Sequence, residues 1–272
     1  MANKNEELAA KGSNTLAGLE AFSNLATEGQ ILGFEALDAS DIKMPKIRLL
    51  QPMSDEVATG KGKPGQFYNS VTGTASDAID CVFLLIGKSR IAWKQPFKRG
   101  EEPLCRSFDG EVSANGELCK NCPKAKWGAD NKRPECNLSY TWLGAVANDG
   151  SYQAFRMIAA GTSFAPTRDF IQKVMNILRS GKKSYPLYIL KVCLTSKLER
   201  GDSGNYYVLQ YGLKPGADGK GFETITMDDA VALQEMQENL KGLFDDLNRR
   251  DIDNGTDAPE EAGSSNGSGA LF

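Results

Sequence analysis

The 272-residue sequence contains no histidine. Without an imidazole, a Ser-His-Asp triad cannot be assembled, so hydrolysis by histidine chemistry is excluded. The segment Gly201-Asp202-Ser203-Gly204, which sets a serine between glycines, therefore reads as a polar turn. No apolar run approaches the roughly 20 residues of a membrane-spanning helix. The opening residues lack the apolar stretch of a secretory signal, so the expected location is the cytoplasm, without a membrane partner. The loop Gly60-Lys-Gly-Lys-Pro-Gly65 lacks the Gly-Lys-Ser/Thr ending of a phosphate-binding loop. Paired carboxylates at Asp55-Glu56 and Glu101-Glu102 stand beside turns and read as solvated charge. No reaction is legible, and a protein that is not an enzyme is expected.

What the sequence does hold is an uneven charge. The net value is −3, yet residues 1–42 carry −5, residues 43–214 carry +11, residues 215–250 carry −4 and residues 251–272 carry −5. Folded proteins rarely segregate charge this way without a reason, and a basic centre points to a polyanion partner.

The hydrophobic pattern follows the same divisions. Residues 1–42 are polar and read as a flexible acidic arm. From Lys46 onward short β-rich runs alternate with turns, at Lys46–Leu50, Gln66–Val71, Ile79–Ile86, Arg90–Lys94, Leu138–Ala147, Tyr152–Ile158, Tyr185–Thr195 and Asn205–Tyr211. Such a series predicts a barrel or sandwich rather than a parallel α/β sheet. A helix is predicted from about Thr167 to Arg179, with Phe170, Ile171, Val174, Ile177 and Leu178 on one side. A second, at 215–250, begins on a capping-box pattern, Thr226 with Asp229, and carries Met236, Leu240, Leu243 and Leu247. Residues 251–272 cannot bury a core and read as a disordered acidic tail.

Four of the six cysteines fall within an insert at 104–137. Cys105, Cys119, Cys122 and Cys136 form a Cys-x13-Cys-x2-Cys-x13-Cys pattern. Thiolates are good zinc ligands, and two on one short turn can share an ion. Four would saturate a tetrahedral Zn2+ and leave no position for water, so the expected role is structural. Two disulfides or four free thiols are the other readings, and a cytosolic compartment argues against the disulfides. Cys81 and Cys193 sit in apolar strand runs and read as core.

The basic centre alternates cations with rings. Arg90, Trp93, Lys94, Phe97, Lys98 and Arg99 form one cluster, and Lys124, Lys126 and Trp127 decorate the cysteine-rich insert. Tyr140 and Trp142 share a strand face, and Arg156 and Arg168 follow. Single-stranded nucleic acid calls for both elements, a basic groove for phosphates and flat rings for bases. Core packing accounts equally well for any single ring except Trp127, because a small metal loop has little interior.

Taken together, these parts resemble the phage single-stranded-DNA-binding proteins of the OB-fold class, whose zinc-bearing T-even members are the nearest comparison. Those members use a histidine among their ligands, where this chain has four cysteines. The resemblance implies a mainly β (α+β) fold, an OB-like antiparallel β-barrel at 43–214 with a zinc-knuckle insert and flanking helices. It implies sequence-nonspecific binding of single-stranded DNA in phage replication, recombination or repair. The acidic tail, closed by Leu271 and Phe272, is similar in design to bacterial single-strand-binding proteins and implies docking of replication or recombination partners. A zinc-loop adaptor binding protein in transcription or replication control is the alternative, and a DNA-processing enzyme is a further rival.

Overall fold

The computed structural model describes residues 44–94, 102–129, 133–148, 151–180, 182–201, 204–216, 219 and 221–253. The expected arm at 1–42 and the residues after 253 lie outside these. Eleven strands are present among the described residues: β1 (Lys46–Leu49), β2 (Phe67–Asn69), β3 (Ala75–Ser76), β4 (Ile79–Ala92), β5 (Cys105–Ser107), β6 (Cys136–Asn148), β7 (Ser151–Ala159), β8 (Arg179–Ser180), β9 (Lys183–Ser184), β10 (Val192–Gly201) and β11 (Gly204–Leu213). Three α-helices accompany them, α1 (Asp55–Ala58), α2 (Phe164–Leu178) and α3 (Met227–Asp253).

Nine strands form one curled, half-barrel sheet in the order β11-β10-β4-β6-β7-β1-β2-β3, with β5 also on β4. The fold is mainly β, in a barrel-like class. All pairings are antiparallel except that of β1 with β7.

The long strand β4 organises the sheet. Its first residues pair with β10, its length with β6 and its last three with β5. Two separate strands, Ile79–Ile86 and Arg90–Lys94, were expected here, with Gly87 between them. Gly87 instead makes room for α3: a Cβ there would lie 2.3 Å from the Phe244 ring. The register slips between Phe83 and Leu85. Such a bulge turns two successive residues toward one face, and here Leu84 and Leu85 both meet the outer layer.

Strand alternation gives the sheet two buried faces. On the inner face, Phe83 stacks on Trp142 at 4.1 Å between ring centroids, and Phe170 of α2 stacks on Tyr211 at 4.6 Å. The Trp142 indole donates to the Tyr211 hydroxyl at 3.1 Å. That hydroxyl bonds Thr167 at 2.8 Å, whose own proton goes to the Ser163 carbonyl at 2.7 Å. Burial pushes the Tyr211 phenol well above its ordinary range. On the outer face, Val82, Leu84, Leu143 and Ala145 lie under Leu233 and Leu240 of α3. Each fully buried leucine there contributes roughly 1.5–3 kcal/mol.

The helices fall close to where periodicity sets them. Helix α2 buries Phe170, Val174 and Leu178, and starts three residues before the expected Thr167. Pro166 is tolerated because the first turn needs no amide proton from it. Helix α3 opens on the predicted capping box: Asp229 N–H donates to Thr226 Oγ1 at 3.1 Å, and the hydroxyl donates to the Asp229 carboxylate at 2.8 Å. It runs three residues past the expected end at 250. The strand expected from Tyr185 starts only at Val192. Pro186 leads into a 3-10 turn at Leu187–Ile189, which buries Tyr188 in the outer layer.

One side chain holds the edge strand β11 against the segment after β1. The Gln51 amide donates to the Tyr207 carbonyl and accepts from the Tyr207 N–H, both at 2.9 Å. It stands in for a strand at the seam. Next to it Gly65, at φ 89°, receives the Ser196 hydroxyl on its carbonyl at 2.6 Å. Replacing Gln51 by Ala removes both main-chain bonds and should lower the unfolding free energy in urea by about 1–3 kcal/mol. Unchanged stability would show that the seam adds nothing.

Candidate nucleic-acid interface

The insert begins where β4 ends. Ala92 is paired on one side with Cys105 of β5 and on the other with Cys136 of β6. Residues directly opposite across a sheet share a face, so these two thiols flank the Ala92 methyl. The Cys-x2-Cys turn lies between them in sequence. Cys119 is buried and donates its N–H to the Glu111 carbonyl at 2.8 Å, and the Cys122 N–H closes the turn on the Cys119 carbonyl at 3.2 Å.

The four thiols are electrostatic neighbours. Burial raises the Cys105 thiol most, Cys119 and Cys122 raise it further, and Lys124 acts in the opposite sense. Burial also dominates at Cys136, where Arg90 lowers the value and Cys105 and Cys119 raise it. Cys105, Cys119, Cys122 and Cys136 are free thiols. Among the described residues, no three Cys, Asp or Glu side chains gather closely enough to hold a metal ion. Thiolates formed at these positions would oppose one another and would be stabilised by nearby positive charge.

A carboxylate absent from the expected site residues holds the loop in shape. Asp109 accepts the N–H groups of Glu111 and Val112 at 2.7 and 2.9 Å and the Ser107 hydroxyl at 2.9 Å. The Val112 and Glu111 amides hold its carboxyl below the usual range. The Asp109-Gly110 pair, with Gly110 at φ 75°, was the available signal for this turn.

The predicted nucleic-acid contacts divide into three groups. Lys94, Lys124, Lys126, Trp127 and Arg168 are exposed. Trp127 is 64% exposed, and Lys120 and Arg133 stand exposed on the same insert. No ion pair among the described residues engages Lys120, Lys124 or Lys126.

The second group is buried, which corrects the expectation that these side chains face a ligand. Trp142 is 1% exposed and belongs to the inner core. Tyr140 is buried and stacks on Phe164 at 4.8 Å. Trp93 packs with Ile91 and Phe108. Arg156 is 2% exposed and pairs with Leu143, on the outer face that α3 covers. For Tyr140, Trp142 and Arg156 strand alternation turned the side chain into a packed layer, and Trp93 follows directly on the end of β4. Arg90 is half-buried, donates its Nε–H to the Gly110 carbonyl at 3.1 Å and hydrogen-bonds Cys136, so its charge serves the insert. Phe97, Lys98, Arg99, Leu271 and Phe272 form the third group, outside the described residues.

The family model for Pam3 phage gp34-like proteins matches residues 11–223. The chain belongs to that family. It is a phage family by its description, and the match takes in both the sheet and the cysteine-rich insert. No curated protein and no solved structure matches the chain. Among the described residues no helix is long and apolar enough to cross a membrane.

Replacing Asp109 by Ala should loosen the insert without touching the barrel. Labelling of Cys119 by a thiol reagent at neutral pH should accelerate several-fold, with the melting temperature of the sheet unchanged. In the wild-type chain the same loosening should follow acidification. The folded Asp109 value lies below the unfolded one, so its contribution is complete above the ordinary carboxylate pKa and fades as pH falls through the depressed value. Insert amide shifts in an NMR titration that stay flat across that range would contradict this.

Proposed function

We propose that this phage-family protein binds single-stranded DNA without sequence choice, through an OB-like barrel carrying a cysteine-ligated insert with exposed lysines. The observation that carries the reading is the insert's surface, where Trp127 stands 64% exposed beside Lys120, Lys124 and Lys126. Those lysines have no ion pair among the described residues. An indole held open to solvent among cations suits an unstacked base and its phosphates, and such stacking contributes about 1–3 kcal/mol per base.

The strand order supports the OB-like part. Taken alone, β4, β6, β7, β10 and β11 lie in the order β11-β10-β4-β6-β7, and α2 enters between β7 and β10. A five-stranded Greek-key barrel of the OB class binds oligonucleotides at the face of its second and third strands, flanked by the loops joining strands 1–2 and 4–5. Here β6 and β7 are covered on both faces by packed side chains, and the cysteine insert occupies the corresponding first loop, between β4 and β6. The additional strands β1 to β3 extend the sheet beyond β7.

Cys105, Cys119, Cys122 and Cys136 would hold a structural Zn2+, which orders small loops and leaves no open coordination position. Their mutual effect on ionisation and the shared Ala92 register support this. Protein partners for the acidic tail, action in the host cytoplasm and absence of catalysis complete the reading. One observation favours an adaptor instead: Leu104, Val112 and Leu118 are also exposed on the insert, at 46%, 39% and 47%, a surface that could seat a protein.

Titrating the protein with oligo-dT and with duplex at rising salt tests the reading. Single strands should quench tryptophan emission through Trp127, and their affinity should fall steeply with salt. Replacing Trp127 by Ala should weaken that binding about tenfold or more. Equal affinity for duplex, or no binding to either, refutes the proposal. Elemental analysis should find one zinc per chain, lost when Cys119 and Cys122 become Ser.

A further inference from the structure

A second surface has the same chemistry and shares no residue with the insert. Between Asp169 and Glu199 the sequence has six lysines and arginines and no acidic residue. Three of these cations are engaged: Lys191 pairs with Glu223, Lys197 pairs with Glu199, and Lys173 lies over the Phe222 ring at 5.8 Å. The other three, Arg179, Lys182 and Lys183, lie on one hairpin. Strands β8 and β9 pair Arg179 with Ser184 and Ser180 with Lys183, directly after the last turn of α2. All three basic residues are exposed, and no ion pair among the described residues engages them.

A ring completes the cluster. Tyr185 donates its N–H to the Leu178 carbonyl at 3.0 Å, which fixes it to the end of α2, yet it is 46% exposed. Cations after a helix C-terminus also compensate the helix dipole. That role needs no exposed tyrosine and is met by one or two charges, so it leaves the cluster's ring unaccounted for.

We infer that the β8–β9 hairpin, with Arg179, Lys182, Lys183 and Tyr185, is a second contact for single-stranded nucleic acid, engaged only by strands long enough to reach it. The inference rests on the proposed single-strand binding. Its separation from the insert follows from α2. The helix starts at Phe164, stacked on Tyr140, and Tyr140 lies on β6, the strand that leads out of the insert. Fifteen helical residues at 1.5 Å each then carry the chain about 22 Å further. One or two nucleotides on Trp127 do not span even the length of that helix, whereas a longer strand within the ~4–16 nucleotide range of an OB-type site does.

The test measures the affinity of the full-length chain for labelled oligo-dT of increasing length. Three chains are compared: wild type, the triple variant Arg179→Gln/Lys182→Gln/Lys183→Gln, and Tyr185→Ala. Wild-type affinity should rise in two steps with length. Both variants should match wild type on the shortest binding oligomers and lose the second step, about tenfold or more on long ones. For the triple variant the salt slope on long oligomers should fall by about two, at roughly 0.7 for each phosphate that is no longer neutralised. Wild-type binding that all three chains share at every length overturns the second contact and leaves the first in place. Equal loss at short and long lengths overturns it as well. Absence of wild-type binding to any oligomer overturns both readings.

Discussion

The structure depends on a single strand that is buried on both faces. β4 pairs with three other strands, turns Cys81 and Phe83 into one hydrophobic layer and Val82, Leu84 and Leu85 into another. A strand buried on both faces needs a cover on each side. Helix α2 supplies the inner cover with Phe170 and Val174, and α3 supplies the outer one with Leu233 and Leu240. The bulge at Leu84 makes the second cover possible, and its carbonyl accepts from the Gln237 amide of α3 at 2.6 Å.

That double burial constrains function. With rings filling the inner layer and α3 packed over the outer one, the central strands bury most of both faces among the described residues. Trp127 and Tyr185, each exposed and near exposed lysines or arginines in sequence, lie on segments appended to the core elements, the insert after β4 and the hairpin after α2. Both are polar segments with fixed backbones, Asp109 pinning one and the Tyr185–Leu178 bond the other. Rigid presentation lowers the ordering cost of binding.

Much of this was legible in the residues. The period-2 runs located most strands, the Phe170–Val174–Leu178 spacing located α2, and Thr226 with Asp229 located the start of α3. The misses have physical causes. β4 was expected as two runs because the residues between Ile86 and Arg90 show no β pattern; Gly87 carries no sign of what approaches it, and Phe244 is 157 residues away in sequence. Trp93, Tyr140, Trp142 and Arg156 looked like ligand-facing groups because composition near a basic run does not say which way a strand face turns. Trp127 was separable from them, since two glycine- and proline-rich turns cannot enclose an indole. The β8–β9 cluster went unread because its cations fell between a predicted helix and a predicted strand, and each element alone looked ordinary.

Hydrogen exchange of the full-length chain with and without a long oligo-dT distinguishes binding at the appended segments from binding on the sheet face. Slowed exchange confined to residues 118–129 and 179–185, with α3 and the β6–β7 pair unchanged, is the predicted result. Protection spread along β6 and β7, together with faster exchange in α3, would mean that the nucleic acid displaces the outer helix and enters the sheet face, and would contradict the account.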